Sequence, residues 1–243
     1  DIADVLEDLT EEERQKLYRI LGVESVSEIF AYLEDEVGKY INELDSEKAA
    51  DIIESMDADD AVDILDELED DKSDEIKKLM DEDARQDIDL ILSYDDDQIG
   101  SRMTTNFIAV KKNSTVRQAM KSLINQAAEN DNISTIYVVN DDDTFYGAVD
   151  LKDLIIARDY QDFETLISTS YPYVYAEEKT GECIEELKDY SEDSIPVLSN
   201  DNKILGVITA QDLVEAVDEE MGDDYAKLAG LTAEEDLNEP FKD

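Results

Sequence analysis

The chain has 243 residues, enough for one or two domains with a real core, and 42% of them are hydrophobic, which excludes a disordered acidic tail. Its 67 Asp and Glu against 21 Lys and Arg give a formal charge of −46, a field that excludes nucleic acid and anionic membrane as ligands and favours a cation as counter-charge. His is absent and Cys183 stands alone, so disulfides are excluded and zinc or copper would find almost no preferred donors; oxygen is on offer, and it suits magnesium, calcium or manganese.

By charge count alone, a halophile-like acidic surface explains as much as a bound cation does. No run approaches the roughly 18 apolar residues of a membrane span, and no basic-then-apolar signal opens the chain, so a soluble chain is expected. It starts at Asp1 rather than Met and ends in Pro240-Phe241-Lys242-Asp243, which reads as a piece of something longer.

Residues 1 to 98 hold no convincing strand. Thr10 followed by Glu13 is a capping box ahead of Leu17, Ile20 and Leu21, so a helix starts there. Apolar pairs at i and i+4 then recur every 12 residues: Tyr40 with Leu44, Ile52 with Met56, Ile64 with Leu68, Ile76 with Met80, Ile88 with Leu92. Such a pair shares a helix face. A helix of about eight residues plus a turn fills each interval, too short to stand alone in water, so the units must stack as a small solenoid. One continuous helix fails, because a 12-residue repeat advances about 120° past whole turns and the pairs would spiral off any single face.

Residues 94–103 form a link, with Gly100 as its flexible point. Beyond it, 107–110 read as a strand, 116–126 as a helix opened by Thr115, 136–139 and 145–149 as strands around a turn, and 151–158 as a helix. Residues 136–157 shifted by 59 lie without gaps on 195–216: Val138 on Val197, Gly147 on Gly206, Asp153-Leu154 on Asp212-Leu213. The second copy runs through strand 173–175, helix 181–190, strands 195–198 and 204–208, and a helix from Ala210 onward. An internal repeat of strands alternating with helices reads as a duplicated α/β module.

Two tandem β-α-β-β-α units, with Gly147 and Gly206 opening the third strand and Asp153-Leu154 and Asp212-Leu213 just after it, resemble a pair of CBS domains over about residues 100–217. With the acidic helical region in front, the link from Tyr94 through Ile99-Gly100-Ser101-Arg102-Met103 to Thr104, and Ile136-Tyr137-Val138-Val139, the whole chain resembles the cytosolic part of the MgtE magnesium transporters. The expected fold class is α+β multidomain: an all-α superhelix over 1–98, a first CBS domain over 99–165, a second over 166–217, and a connecting helix over 218–243 toward a membrane pore domain. The resemblance implies a regulator and no enzyme: a homodimer formed through CBS domains, on the cytoplasmic side of the cell membrane, that binds magnesium and thereby closes the pore.

The residues can be tested for that chemistry. A helix from Asp212 sets Asp212, Glu215, Glu219 and Asp223 in one acidic stripe, opposite Val214, Val217, Met221 and Leu228. Asp59, Asp63, Asp66 and Asp70 make a second stripe in the amino-terminal region. Two such faces repel: at about 6 Å and an effective dielectric near 20, each carboxylate pair costs about 3 kcal/mol. Divalent ions between them reverse the sign, and magnesium, which keeps several waters and takes one or two carboxylates directly, suits a wet acidic interface. Carried over residue by residue, the family's sensing positions fall at Asp59 and Asp63, at Glu182, at Asp212 and Glu215, and at Glu220, Asp223 and Asp224. For each taken singly, a solvated surface acid is the alternative.

A rival reading is adenine-nucleotide sensing, since CBS pairs often hold such ligands where a Ser or Thr precedes an Asp by three residues. Thr209-Ala210-Gln211-Asp212 fits; in Asp150-Leu151-Lys152-Asp153 the carboxylate of Asp150 would repel phosphate, and Lys152 offsets it. Asp153 and Thr209 are therefore the candidate nucleotide contacts, with ATP the candidate second ligand. A third reading is a protein-docking scaffold, insensitive to both magnesium and nucleotide. Against catalysis stand the missing Gly-rich phosphate loop and the missing His base. Cys183 reads as small structural filler.

Overall fold

The structure, a computed structural model, describes residues 5–6, 8–33, 37–128, 130, 132–187, 190–214 and 216–217. The amino-terminal part is helical: α1 (Glu11–Leu21), α2 (Val23–Ala31), α3 (Val37–Asn42), α4 (Ser46–Ile53), α5 (Ala58–Asp66), α6 (Asp70–Leu79) and α7 (Glu82–Ile91). The Glu13 carboxylate accepts from the Thr10 N–H at 3.0 Å and from its Oγ1 at 2.7 Å, which starts α1 where the capping box put it. Arg14, buried, ties α1 to the end of α3 by donating from Nε to Glu43 at 2.9 Å and from Nη1 to the Leu6 carbonyl at 3.1 Å.

The 12-residue cadence is real, but its two members do different work. Tyr40, Ile52, Ile64, Ile76 and Ile88 are buried within α3 to α7, whereas Leu44, Met56, Leu68, Met80 and Leu92 lie beyond the helix ends, in the turns. They do not share one helix face as the i, i+4 spacing predicts. They plug the corner between one helix and the next, and Leu92, with no further helix to cover it, is 41% exposed. A second cadence lies beneath the first: Asp45, Asp57, Glu69 and Asp81 are the N-cap residues of α4 to α7, all in extended backbone, and they too are spaced by 12. An acid there complements the helix dipole. The helices pack next-but-one, with α2, α4 and α6 in one row and α3, α5 and α7 in the other.

Two α/β units follow. The first is β1 (Ile108–Lys111), α8 (Val116–Gln126), β2 (Thr135–Val139), β3 (Phe145–Asp150) and α9 (Leu151–Ile156). The second is β4 (Val174–Tyr175), α10 (Thr180–Leu187), β5 (Ser194–Leu198) and β6 (Ile204–Thr209), with helix resuming at 210–214. Each sheet is three-stranded, with a parallel first pair and an antiparallel second. The repeat extends to detail: the strand irregularity at Val138/Val139 recurs at Val197/Leu198, and positive φ at Asp143 (67°) recurs at Asn202 (60°). Phe107, expected at the head of the first strand, lies just outside it.

The two units interlock at their third strands. Thr104 pairs with Val207 of β6, and Ser168 pairs with Ala148 of β3. That contact explains the repeated glycines, since a Cβ at Gly206 would lie 2.5 Å from the Thr104 carbonyl oxygen, and one at Gly147 would lie 2.4 Å from that of Ser168. Between the sheets, Phe107 and Tyr171 each meet the buried Tyr137 edge-on at 6.1 Å.

The link does not behave as a hinge. Gly100 is buried in a short 3-10 helix (Ile99–Arg102), donates its N–H to the Ala176 carbonyl at 2.9 Å, and has the Tyr94 ring 2.7 Å from where a Cβ would stand. Close packing, not flexibility, calls for glycine there. Ile99, Met103, Val174, Cys183, Val197 and Ile208 belong to the same hydrophobic cluster as the helical core, so helical region and second α/β unit are packed as one. Cys183, 1% exposed, is filler in that cluster, as expected.

Candidate functional site

The start of α5 carries Asp59, and the helical residues 210–214 that directly follow β6 carry Asp212. Both belong to acids that meet across the contact between the helical region and the second α/β unit. Asp59 is half-buried as a residue, but its Oδ1 is fully enclosed and has no hydrogen-bond partner. Burial foremost, then the charges of Asp212, Asp60 and Asp57, push its carboxyl up to about 8. A carboxylate enclosed beside three others, with an oxygen facing no donor, is placed for a proton or a cation.

Asp212 is held from its own side. Its Oδ2 accepts from the Thr209 N–H at 2.7 Å and its N–H donates to Thr209 Oγ1 at 3.3 Å, a reciprocal cap that opens the helix at 210. Gln211, Asp57, Asp60, Ser55, Glu28 and Tyr32 are among the residues lining a cleft of about 290 Å³ on this contact. Among the described residues no group of three or more His, Cys, Asp or Glu side chains is placed to hold a metal ion. What is present is an all-oxygen donor set around one enclosed carboxylate, which fits a hard cation that brings most of its own water.

The other expected positions divide. Asp63 is exposed one turn along α5 from Asp59. Glu182 is exposed in the first turn of α10 and is not among the charges acting on Asp59. Glu215, Glu220, Asp223 and Asp224 lie outside the described residues, as does Glu219 of the expected stripe. The amino-terminal stripe is shorter than its spacing suggests, because α5 ends at Asp66 and Asp70 opens α6 on a new axis. The apolar side of the second helix is also different: Val214 is 61% exposed, whereas Leu213 packs on the core and Ala216 is buried.

The nucleotide candidates are both near the surface. Asp153 is exposed on α9, whose N-terminus is capped by Asp150 through the Lys152 N–H at 2.7 Å. Thr209 is half-buried and lies in register with Ser194, whose Oγ is 2.7 Å from the Tyr137 hydroxyl and whose carbonyl accepts from the Tyr171 hydroxyl at 2.7 Å. Tyrosines thus occupy the space beside Ser194.

Sequence reasoning missed two contacts that hold the site together. Thr105 Oγ1 donates to Asp87 Oδ2 at 2.9 Å, and Asn106 Nδ2 donates to Asp57 Oδ1 at 2.9 Å. Burial raises the Asp87 carboxyl, and the Thr105 bond partly offsets the rise. No periodicity marks Thr105 or Asn106; the recurrence of an acid at 45, 57, 69 and 81 is the signal that singles out Asp57.

Residues 1–97 match the model of the MgtE intracellular N domain, and residues 97–160 and 163–219 match the CBS domain. The magnesium transporter MgtE of Enterococcus faecalis is 38% identical over 237 residues, which are 96% of this chain and 52% of that protein. The magnesium transporter MgtE of Thermus thermophilus is 25% identical over 143 residues, 59% of this chain and 32% of that one. The chain therefore spans about half the length, or less, of these relatives. Among solved structures, the soluble part of a magnesium transporter superimposes with a TM-score of 0.84 at 28% identity, over 90% of this chain and 86% of the other. The cytosolic domain of the Mg2+ channel MgtE in complex with ATP gives 0.80 at 24% identity, over 88% of each, which speaks to the fold. Among the described residues no helix is long and apolar enough to cross a membrane. The two family models follow one another along the chain and the structural match spans both, and the chain belongs to the MgtE family, as an MgtE intracellular N domain followed by a CBS pair.

Proposed function

We propose that this chain is the cytosolic magnesium-sensing region of an MgtE transporter, and that it gates a pore domain elsewhere in the protein through divalent ions bridging the helical domain to the second CBS domain. The observation that carries this is the enclosed, unpartnered Oδ1 of Asp59 set against Asp212. At neutral pH and without a cation, the docked arrangement keeps a proton on Asp59; a divalent ion takes the proton's place and supplies two charges where the proton supplies one. Asp59 and Asp212 form the inner part of the bridge. Asp63, Glu182, Glu215, Glu220, Asp223 and Asp224 are the further acids of the sensing set. The domain division 1–98, 99–165, 166–217 and 218–243 goes with this reading, with the last segment leading to the pore.

A homodimer through the CBS domains is part of the proposal. Ile124, Ile155 and Ile156 are 61–68% exposed on α8 and α9, beside a groove of about 620 Å³ between those helices. An apolar face of that kind is an interaction surface. The role is regulatory, not catalytic. Nucleotide binding at Asp153 or Thr209 is the second reading, supported by a solved relative of the same fold that is in complex with ATP.

Small-angle scattering of the 243-residue chain tests it, with magnesium, calcium and ATP titrated separately. Millimolar magnesium should lower the radius of gyration, and Asp59→Asn combined with Asp63→Asn should cut that change to less than about half, because ligation and repulsion are lost together. A double variant that compacts like the wild type at the same magnesium concentration would overturn the site. Compaction by ATP alone would favour the second reading.

A further inference from the structure

Three parts of the molecule meet at Asn106. Two residues earlier, Thr104 exchanges backbone hydrogen bonds with Val207 of β6, at 2.9 and 2.8 Å, so the second CBS domain sets the position of the link. Asn106 Oδ1 accepts from the Asn132 N–H of the first CBS domain at 3.3 Å. Asn106 Nδ2 donates to Asp57 Oδ1 of the helical domain at 2.9 Å. Beside it, Thr105 reaches Asp87 at the far end of the same contact, and a cavity of about 320 Å³ lined in part by Asp57, Asp87, Thr105, Asn106 and Asn130 occupies the junction.

Asp57 is the N-cap residue of α5, yet its side chain makes no capping bond to that helix. It is turned toward Asn106 instead. The first turn of α5 carries Asp59 two residues later, so whatever holds Asp57 also sets where Asp59 stands against Asp212. The donor has to be neutral, and here it is an amide. A carboxylate at 106 would confront Asp57, and a cation there would neutralise the acidic face that a metal is needed to bridge.

We propose that Asn106 is a positioning residue for the cation bridge: it couples both CBS domains to the amino-terminal turn of α5 and sets the Asp59–Asp212 approach without touching the ion. This rests on the reading of Asp59 and Asp212 as the bridged pair. Asn106 acts in the metal-free protein as well, so its effect is separable from magnesium binding.

The test is a charge-conserving exchange. Asn106→Asp alone should raise the magnesium concentration for half-maximal compaction by about fivefold or more. In the double variant Asn106→Asp with Asp57→Asn, donor and acceptor trade places, the formal charge stays at −46, and position 106 still accepts from the Asn132 N–H. That variant should return the midpoint to within about twofold of wild type. An unchanged midpoint in the single variant, or an exchange that rescues nothing, overturns the proposal. Amide exchange over the first turn of α5 in EDTA gives the metal-free readout. It should speed up in the single variant and recover in the exchange, and equal rates in all three proteins overturn the positioning role. A wild type that ignores magnesium overturns the bridge reading alone, and the EDTA arm then decides Asn106.

Discussion

Asp59 shows how packing alters a single acid. Its carboxyl stands at about 8 in the packed structure against an ordinary 3.8, so the docked state binds this proton more tightly than the undocked state does. Stability from that preference is present in full below the ordinary carboxylate value and fades as pH rises toward about 8. In EDTA the radius of gyration should therefore be smaller at about pH 5.5 than at about pH 8.5, with saturating magnesium removing the difference. Asp59→Asn should flatten the curve, and a wild-type profile retained in that variant would contradict the assignment. Residue context decided this outcome: Asp63, one turn further on, is exposed and shows no comparable enclosure. The acid spacing on α5 was legible in the sequence. Which of those acids is enclosed was not, because enclosure depends on what packs against α5, and the foremost charge acting there, Asp212, is 153 positions away in the chain.

At the scale of the element, the helical domain is a stack of units none of which could fold alone. Helices of six to ten residues are below the length that is stable in water. Those from α3 to α6 are each secured by a buried residue within the helix and by an apolar plug in the following turn. The two positions should behave differently on truncation. Ile76→Ala, at a site with 0% exposure in α6, should lower unfolding stability by about 2–5 kcal/mol in urea. Leu92→Ala, at the uncovered end of the stack, should change it by less than about 1 kcal/mol. Equal losses would mean that the last turn is covered after all. The cadence was visible in the sequence because short helices repeat a local pattern. The division of labour within each pair was not, since an i, i+4 spacing reads the same whether the helix continues or turns.

On the scale of the whole molecule, one hydrophobic cluster runs from α1 and α2 through the link into β4, β5 and β6. On the proposed reading, parting the helical domain from the second CBS domain would break an apolar contact as well as relieve carboxylate repulsion, so the change would be cooperative. The first CBS domain keeps its own core, built on Ile108, Val116, Leu123, Ile136 and Leu154, and turns the exposed isoleucines of α8 and α9 outward. Ile124→Asp with Ile155→Asp should convert the chain from a species of twice 27.5 kDa to one of 27.5 kDa in sedimentation. Two charges in the middle of a desolvated contact are strongly unfavourable. Persistence of the larger species would move the dimer contact to another face.

The sequence by itself determined the order of parts, the duplication at a shift of 59, the short-helix cadence and the all-oxygen chemistry, because each is written in local spacing or in composition. Tertiary structure alone decided that Gly100 is a packing position rather than a hinge, that the stripe through Asp70 is broken, that Leu213 rather than Val214 faces inward, and that Asn106 holds Asp57 across 49 residues. The reason is physical. Periodicity reports which side of an element is apolar, whereas the approach of two backbones, the enclosure of one oxygen and the choice of a hydrogen-bond partner depend on what packs against that element from elsewhere in the chain.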